Sequence, residues 1–305
     1  MIYAKPPTTI KGEKCTDMKL LNRMLRSPRL YISAILLLGT LFLGAKEIIE
    51  WYYQNWSYLH GNIPSDVNIE AVENIVNSMS GYNVFMNGIG MGGTGYYSLM
   101  AMLITGFLFT NEFVQGLNTG YAINEISRIG YKKYHLKTVI INFANSFLFY
   151  TCILLIFLII SVSIFSPTLP VEGRSPNMLS ITTLFYRVPA IYCVIQILNQ
   201  ALFVSLFSTI CMGIAVWSTN TFVTKITPLI FYLALTVITQ LAYGITDIAL
   251  FSLAFPDNIF MPFTMEGHTG LGFFLEKVVS YILFILLAIL SQTMLYKRYS
   301  KSYLK

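Results

Sequence analysis

The chain has 305 residues, of which 55% are hydrophobic and 11% charged, with a formal net charge of +6. At a mean hydropathy of +0.63 it carries more apolar surface than the core of a soluble protein of this length can hide, which excludes water-soluble enzymes and nucleic-acid-binding modules. What remains is an integral membrane protein, and apolar runs without period-two alternation predict an all-α membrane fold over a β-barrel.

In chain order, residues 1–29 form a basic, cytoplasmic N-terminus. Asp17 can cap a short helix whose apolar positions Met18, Leu21 and Leu25 share a face, with Lys19, Arg23 and Arg26 interspersed, until Pro28 intervenes. This predicts an interfacial helix meeting anionic headgroups, while a disordered basic tail suits 1–16 better. Six apolar runs then approach or reach the length that crosses about 30 Å of hydrocarbon. They are placed near Leu30–Ile49, Tyr96–Thr110, Thr138–Phe165, Pro189–Val216, Thr227–Ile245 and Val278–Leu295, within a transmembrane domain of residues 30–296 that a basic tail, 297–305, follows. The first run is read as an anchor, since nearly thirty residues precede it and no A-x-A cleavage pattern follows.

A long outer loop is expected over 50–95. Trp51, Tyr52, Tyr53 and Trp56 open it as an aromatic cluster of headgroup-level type. Val67, Ile69, Val72, Ile75 and Val76 then predict a short amphipathic helix within 66–77. Gly88, Gly90 and Gly93 satisfy G-x-G-x-x-G, but a dinucleotide site needs those glycines between a strand and a helix of a soluble βαβ unit. Ahead of a membrane span they read as a hinge or as a point of close backbone packing.

Between the second and third runs lies a polar, basic segment, 111–137. Phe113, Leu117 and Tyr121, then Ile123, Ile126 and Ile129, fall at near-helical spacing, and Gly120 and Gly130 punctuate them. One or two amphipathic helices at the membrane surface fit, as does an ordinary connecting loop. Glu112, Gly116, Ser127 and Arg128 form E-x3-G-x10-S-R, followed by Lys132, Lys133 and Lys137. This resembles the loop after the second span in ABC-2 permeases, the membrane subunits of ATP-binding-cassette exporters, although Glu125 stands where the family usually carries a proline. The resemblance implies a coupling helix near Leu117 to Ile126 that docks on a separate ATPase. It assigns that contact to Tyr121, Asn124 and Glu125, and makes Glu112 and Arg128 braces against the membrane domain. It also makes the 17–26 segment an elbow helix.

Segment 246–276 is apolar over Ile248–Phe255 and Ile259–Phe263, each too short to cross, with Pro256-Asp257-Asn258 between them. A re-entrant pair fits and resembles the outer gate of the same family; a surface-lying loop is the alternative. With the N-terminus inside, sixteen of the 20 basic residues fall on the cytoplasmic side and ten of the 14 acidic residues outside, so both termini are expected in the cytoplasm.

Within the spans, Asn142 and Asn145, and Gln196, Asn199 and Gln200, form one-sided polar sets suited to hydrogen bonds between helices. A substrate path is the sharper reading; by resemblance it runs along the second and fifth spans, near Ser98, Thr105, Tyr232, Thr236 and Gln240. No catalytic residues are expected, because no phosphate loop, H-E-x-x-H or nucleophile–base pair occurs. His60, His135 and His268 read as solvated, Cys152, Cys193 and Cys211 as small apolar residues within spans, and no metal site is expected.

The resulting expectation is a six-span permease in a bacterial plasma membrane, working with a second permease copy or paralogue and with two ATPase subunits that carry ATP and Mg. An amphipathic antimicrobial or toxin peptide is the expected cargo; lipid-linked molecules and hydrophobic drugs fit nearly as well. A membrane-resident immunity or regulatory protein that binds a peptide without transport is the alternative.

Overall fold

A computed structural model describes residues 27–61, 68–91, 96–165, 167–170, 183–215, 217–218, 220–246, 254, 256, 260 and 273–303. Among them all regular structure is helical. Five helices are long and apolar enough to cross a membrane, and a sixth crossing results if one bent pair counts as a single span. The expected elbow helix and nearly all of 246–276 lie outside the described residues.

The bent pair corrects the first span. In place of one helix to Ile49, α1 (Pro28–Gly44) stops and α2 (Lys46–His60) leaves it at 52°. Pro28 starts α1 where its missing N–H is harmless. The bend follows the composition, because Lys46, Glu47 and Glu50 arrive together and do not belong in hydrocarbon. Trp51, Tyr52, Tyr53 and Trp56 accordingly ride on a helix. The amphipathic segment is α3 (Ile69–Ser78), with Val72 buried.

Ser80 ends the next connection by capping α4 (Gly81–Met86): its hydroxyl accepts from the Tyr82 amide at 3.3 Å and donates to the Thr168 carbonyl at 2.6 Å. Helix α4 runs into a wide π-type turn, Asn87–Met91, broken at Gly90 with φ +130°. Of the two readings of these glycines, Gly88 fits close packing. A Cβ there would sit 2.5 Å from the Phe157 ring, and one on Gly44 would sit 2.8 Å from the Gly88 carbonyl.

The next helix of membrane-spanning length runs from α5 (Tyr96–Thr105) through a second π-type turn, Gly106–Thr110, and on to Gly116. Then come α6 (Asn111–Asn118), α7 (Tyr121–Ile129), α8 (Tyr131–Phe165), the short α9 (Thr183–Arg187), α10 (Pro189–Ala215), α11 (Thr221–Thr246) and α12 (Phe273–Tyr303). Helix α10 is central, packed between α8 and α12 and touching α11. Most of its apolar window is buried, 61%, against 17% for α11, so α11 presents Ile230, Val237, Leu241 and Ile245 outward at helical spacing. The core is aromatic-rich: Phe203 meets Phe260 and Phe284 edge-on at 5.0 and 5.1 Å, and all three are buried.

Where α5 meets α11 the backbones touch. Pro228 lies inside α11 and has no N–H to give the carbonyl four residues back, that of Thr224. The Thr110 hydroxyl lies 3.1 Å from that carbonyl and 3.1 Å from the Gly106 carbonyl, so the donor the proline removed is supplied from the neighbouring helix. Only glycine fits at 106, since a Cβ would overlap the Lys225 carbonyl oxygen.

Candidate functional site

The basic segment between the second and third crossings forms two helices and the start of α8. Gly120 (φ +73°) and Gly130 (φ +81°) bracket α7, adopting backbone angles that side-chain-bearing residues avoid, so both ends of α7 turn sharply. Between them one face is apolar. Ala122 and Ile126 are buried in a cluster with Val114, Tyr131, Tyr134, Met212 and Leu295, which seats α6 and α7 on the ends of α8, α10 and α12. The opposite face exposes Asn124, Ser127 and Arg128 together with Ile123, 51% exposed, and Tyr121 is 46% exposed at its edge. Of the one or two amphipathic helices expected, α7 is present as a platform fixed to one end of the bundle, while α6 continues the membrane-length helix that begins at Tyr96.

Glu125, expected at the ATPase contact, instead turns inward. Its carboxylate pairs with the Lys137 ammonium at 3.2 Å, with side chains only 15% and 23% exposed, tying α7 to the second turn of α8. Arg128 is exposed, and the side chains of Glu112 and Leu117 lie outside those described. Gly116 has ordinary clearance, a Cβ there lying 3.5 Å from the Tyr134 hydroxyl. Helix periodicity could not reveal the Glu125–Lys137 pair, because its partners are on different helices separated by a glycine turn. Opposite charge within one short polar segment was the available signal.

The residues expected along a substrate path do not share one environment. Ser98, Thr105 and Tyr232 are buried, Thr236 is half-buried and Gln240 is exposed on α11. The Thr105 and Tyr150 hydroxyls lie 2.9 Å apart, and both reach the Ala101 carbonyl, at 2.8 and 2.6 Å, joining α5 to α8.

The polar residues of the spans do join helices. Asn142 donates to the Ser208 hydroxyl at 3.0 Å, between α8 and α10. Tyr281 of α12 donates to Asn199, with its hydroxyl 2.8 Å from Oδ1 and 2.7 Å from the carbonyl. Asn145 is half-buried. Gln196 and Gln200 are fully buried and both donate to the Phe260 carbonyl, at 3.1 and 3.0 Å. Gln200 also approaches the Ile89 carbonyl at 3.4 Å. Phe260 is thus drawn into the core from a segment of which only residues 254, 256 and 260 are described between 247 and 272.

Two expectations about single side chains change. His135 is buried, its ring 5.9 Å from Tyr131 and 5.7 Å from Tyr296, because α8 begins at Tyr131 and not at Thr138 and so packs its first turns against α12. His60 is exposed as expected and stacks on Trp56 at 4.2 Å. His268 lies outside the described residues. Cys193 and Cys211 are buried, but Cys152 is exposed on the flank of α8. Among the described residues no three His, Cys, Asp or Glu side chains group within metal-binding reach. No family model, no curated protein and no solved structure matches this chain.

Proposed function

We propose that the chain is the permease subunit of an ATP-binding-cassette exporter in a bacterial plasma membrane, with both termini cytoplasmic and ATP hydrolysed on separate subunits. The observation that carries this reading is the platform: α7 is held from below by Ala122, Ile126 and the Glu125–Lys137 pair, and offers a polar face at Asn124, Ser127 and Arg128. A connecting loop needs neither a buried underside nor an ion pair to its own bundle. A docking helix needs both, since a movement received on one face reaches the spans only through a rigid attachment. The outward apolar stripe of α11 offers a surface for lipid or for a second permease copy. An amphipathic peptide is the favoured cargo.

Purification from native membranes in mild detergent tests the assignment. A P-loop ATPase should accompany the wild-type chain in stoichiometric amount. Tyr121→Ala with Asn124→Ala should lower recovery of that ATPase and cargo-stimulated hydrolysis, while the folded fraction stays well above that of Lys137→Met because the Glu125–Lys137 pair still seats α7. Isolation of the chain with no ATPase, or indifference of a co-purified ATPase to the double substitution, would overturn the reading and favour a peptide-binding immunity protein.

A further inference from the structure

Beside the platform, where the start of α8 faces the last turns of α12, a groove of about 470 Å³ opens on the flank of the bundle. Lys132, His135 and Leu136 form one wall; Ile289, Gln292 and Tyr296 form the other. Its volume is in the range of small-molecule sites.

The polar lining has spare capacity. His135 is 9% exposed, and its Nδ1 has no hydrogen-bond partner among the described residues. Gln292 donates from Nε2 to the Thr209 carbonyl, which fixes the amide, yet its Oε1 is buried without a partner among the described residues. Buried polar atoms are rarely left unmatched, and a ligand is one way to match them. Lys132 adds an exposed ammonium on the same wall. The rest of the lining is of a different kind. Leu136 and Ile289 are 59% and 58% exposed, so an apolar strip continues from the polar end along the helices.

We propose that this groove binds an anionic phospholipid. Its phosphate lies against Lys132 and the accessible edge of the His135 ring, and an acyl chain follows Leu136 and Ile289. Phosphate is the shared chemistry of a lipid headgroup and of a free anion; the apolar strip selects the lipid, because a free phosphate has no use for it. A zwitterionic lipid would set its own cation beside Lys132. Depth agrees as well: the groove lies at the end of the bundle where Lys132, Lys133, Lys297 and Arg298 cluster in the sequence of α8 and α12, the charge pattern of an anionic membrane surface.

The full chain in nanodiscs, followed by native mass spectrometry after lipid exchange, tests this with phosphatidylglycerol, phosphatidylcholine and inorganic phosphate as probes. One phosphatidylglycerol should be retained per chain in preference to phosphatidylcholine, and millimolar inorganic phosphate should not displace it. Lys132→Glu should weaken retention about tenfold. Lys133→Glu, one residue along and outside the groove, should weaken it far less. Equal loss in both variants would reduce the effect to general surface charge and overturn the proposal. So would displacement by inorganic phosphate, which would mark a free-anion site. His135→Phe, which keeps a ring for Tyr296 but no nitrogen, should also lose the lipid. Preserved thermal stability in phosphatidylcholine separates that loss from misfolding.

Discussion

The contact between α5 and α11 makes the sharpest quantitative prediction. Thr110 supplies a hydroxyl to the Thr224 carbonyl, whose usual donor is missing because residue 228 is proline. Replacing Thr110 by Val keeps the shape and removes the donor. The buried Thr224 carbonyl then loses that hydroxyl, at a cost of about 1 kcal/mol. Pro228→Ala returns an amide N–H to position 228, which can close the ordinary helical bond to Thr224. The cost of Thr110→Val should then fall to a few tenths of a kcal/mol, giving a coupling of about 1 kcal/mol in a double-mutant cycle. Reversible unfolding in mixed micelles, read by circular dichroism over a denaturing-detergent series, measures all four variants. If Thr110→Val costs the same in both backgrounds, the proline-compensation argument is wrong, whatever the absolute stabilities.

Three further outcomes follow from geometry. Gly106→Ala should lower the melting temperature and the yield of folded protein sharply, because relief of the overlap with the Lys225 carbonyl requires the helix axes to separate; a melting temperature equal to wild type would contradict so close a crossing of α5 and α11. Lys137→Met should cost about 1 kcal/mol and increase protease nicking near Gly130, whereas Lys133→Met, on the exposed side of the same helix, should do neither. Asn142→Val combined with Ser208→Ala should show a coupling of about 0.6 kcal/mol, since each loses the same interhelical bond.

What could be read from the chain depended on whether the deciding interaction was local. Apolar run length located the five helices long enough to cross a membrane, and the spacing of Ile123 to Ile129 between Gly120 and Gly130 contained α7. Helix ends set by tertiary packing were misplaced. Tyr131 to Lys137 read as loop because they are polar and aromatic, yet Tyr131 and Tyr134 are buried against Leu295 and extend α8 by two turns. The same packing hides His135. The bend at Ala45 went unseen because the apolar pattern runs through it to Ile49; the charges that end α1 are carried on a helix that simply changes direction. Glu125 illustrates the limit for the site. Its charge was legible, its partner was not, and the partner decides whether the carboxylate faces outward or anchors the helix beneath it.

The length of α8 has a mechanical consequence. Its 35 residues form a rod of about 52 Å, well over the hydrocarbon thickness, and near one end it carries α7 through Lys137. Leaning such a mast by about 10° around its midpoint carries its tip sideways by roughly 4–5 Å. Gripped by a bilayer near its middle, such a helix would turn a slight slope within the bundle into a stroke the size of a side chain.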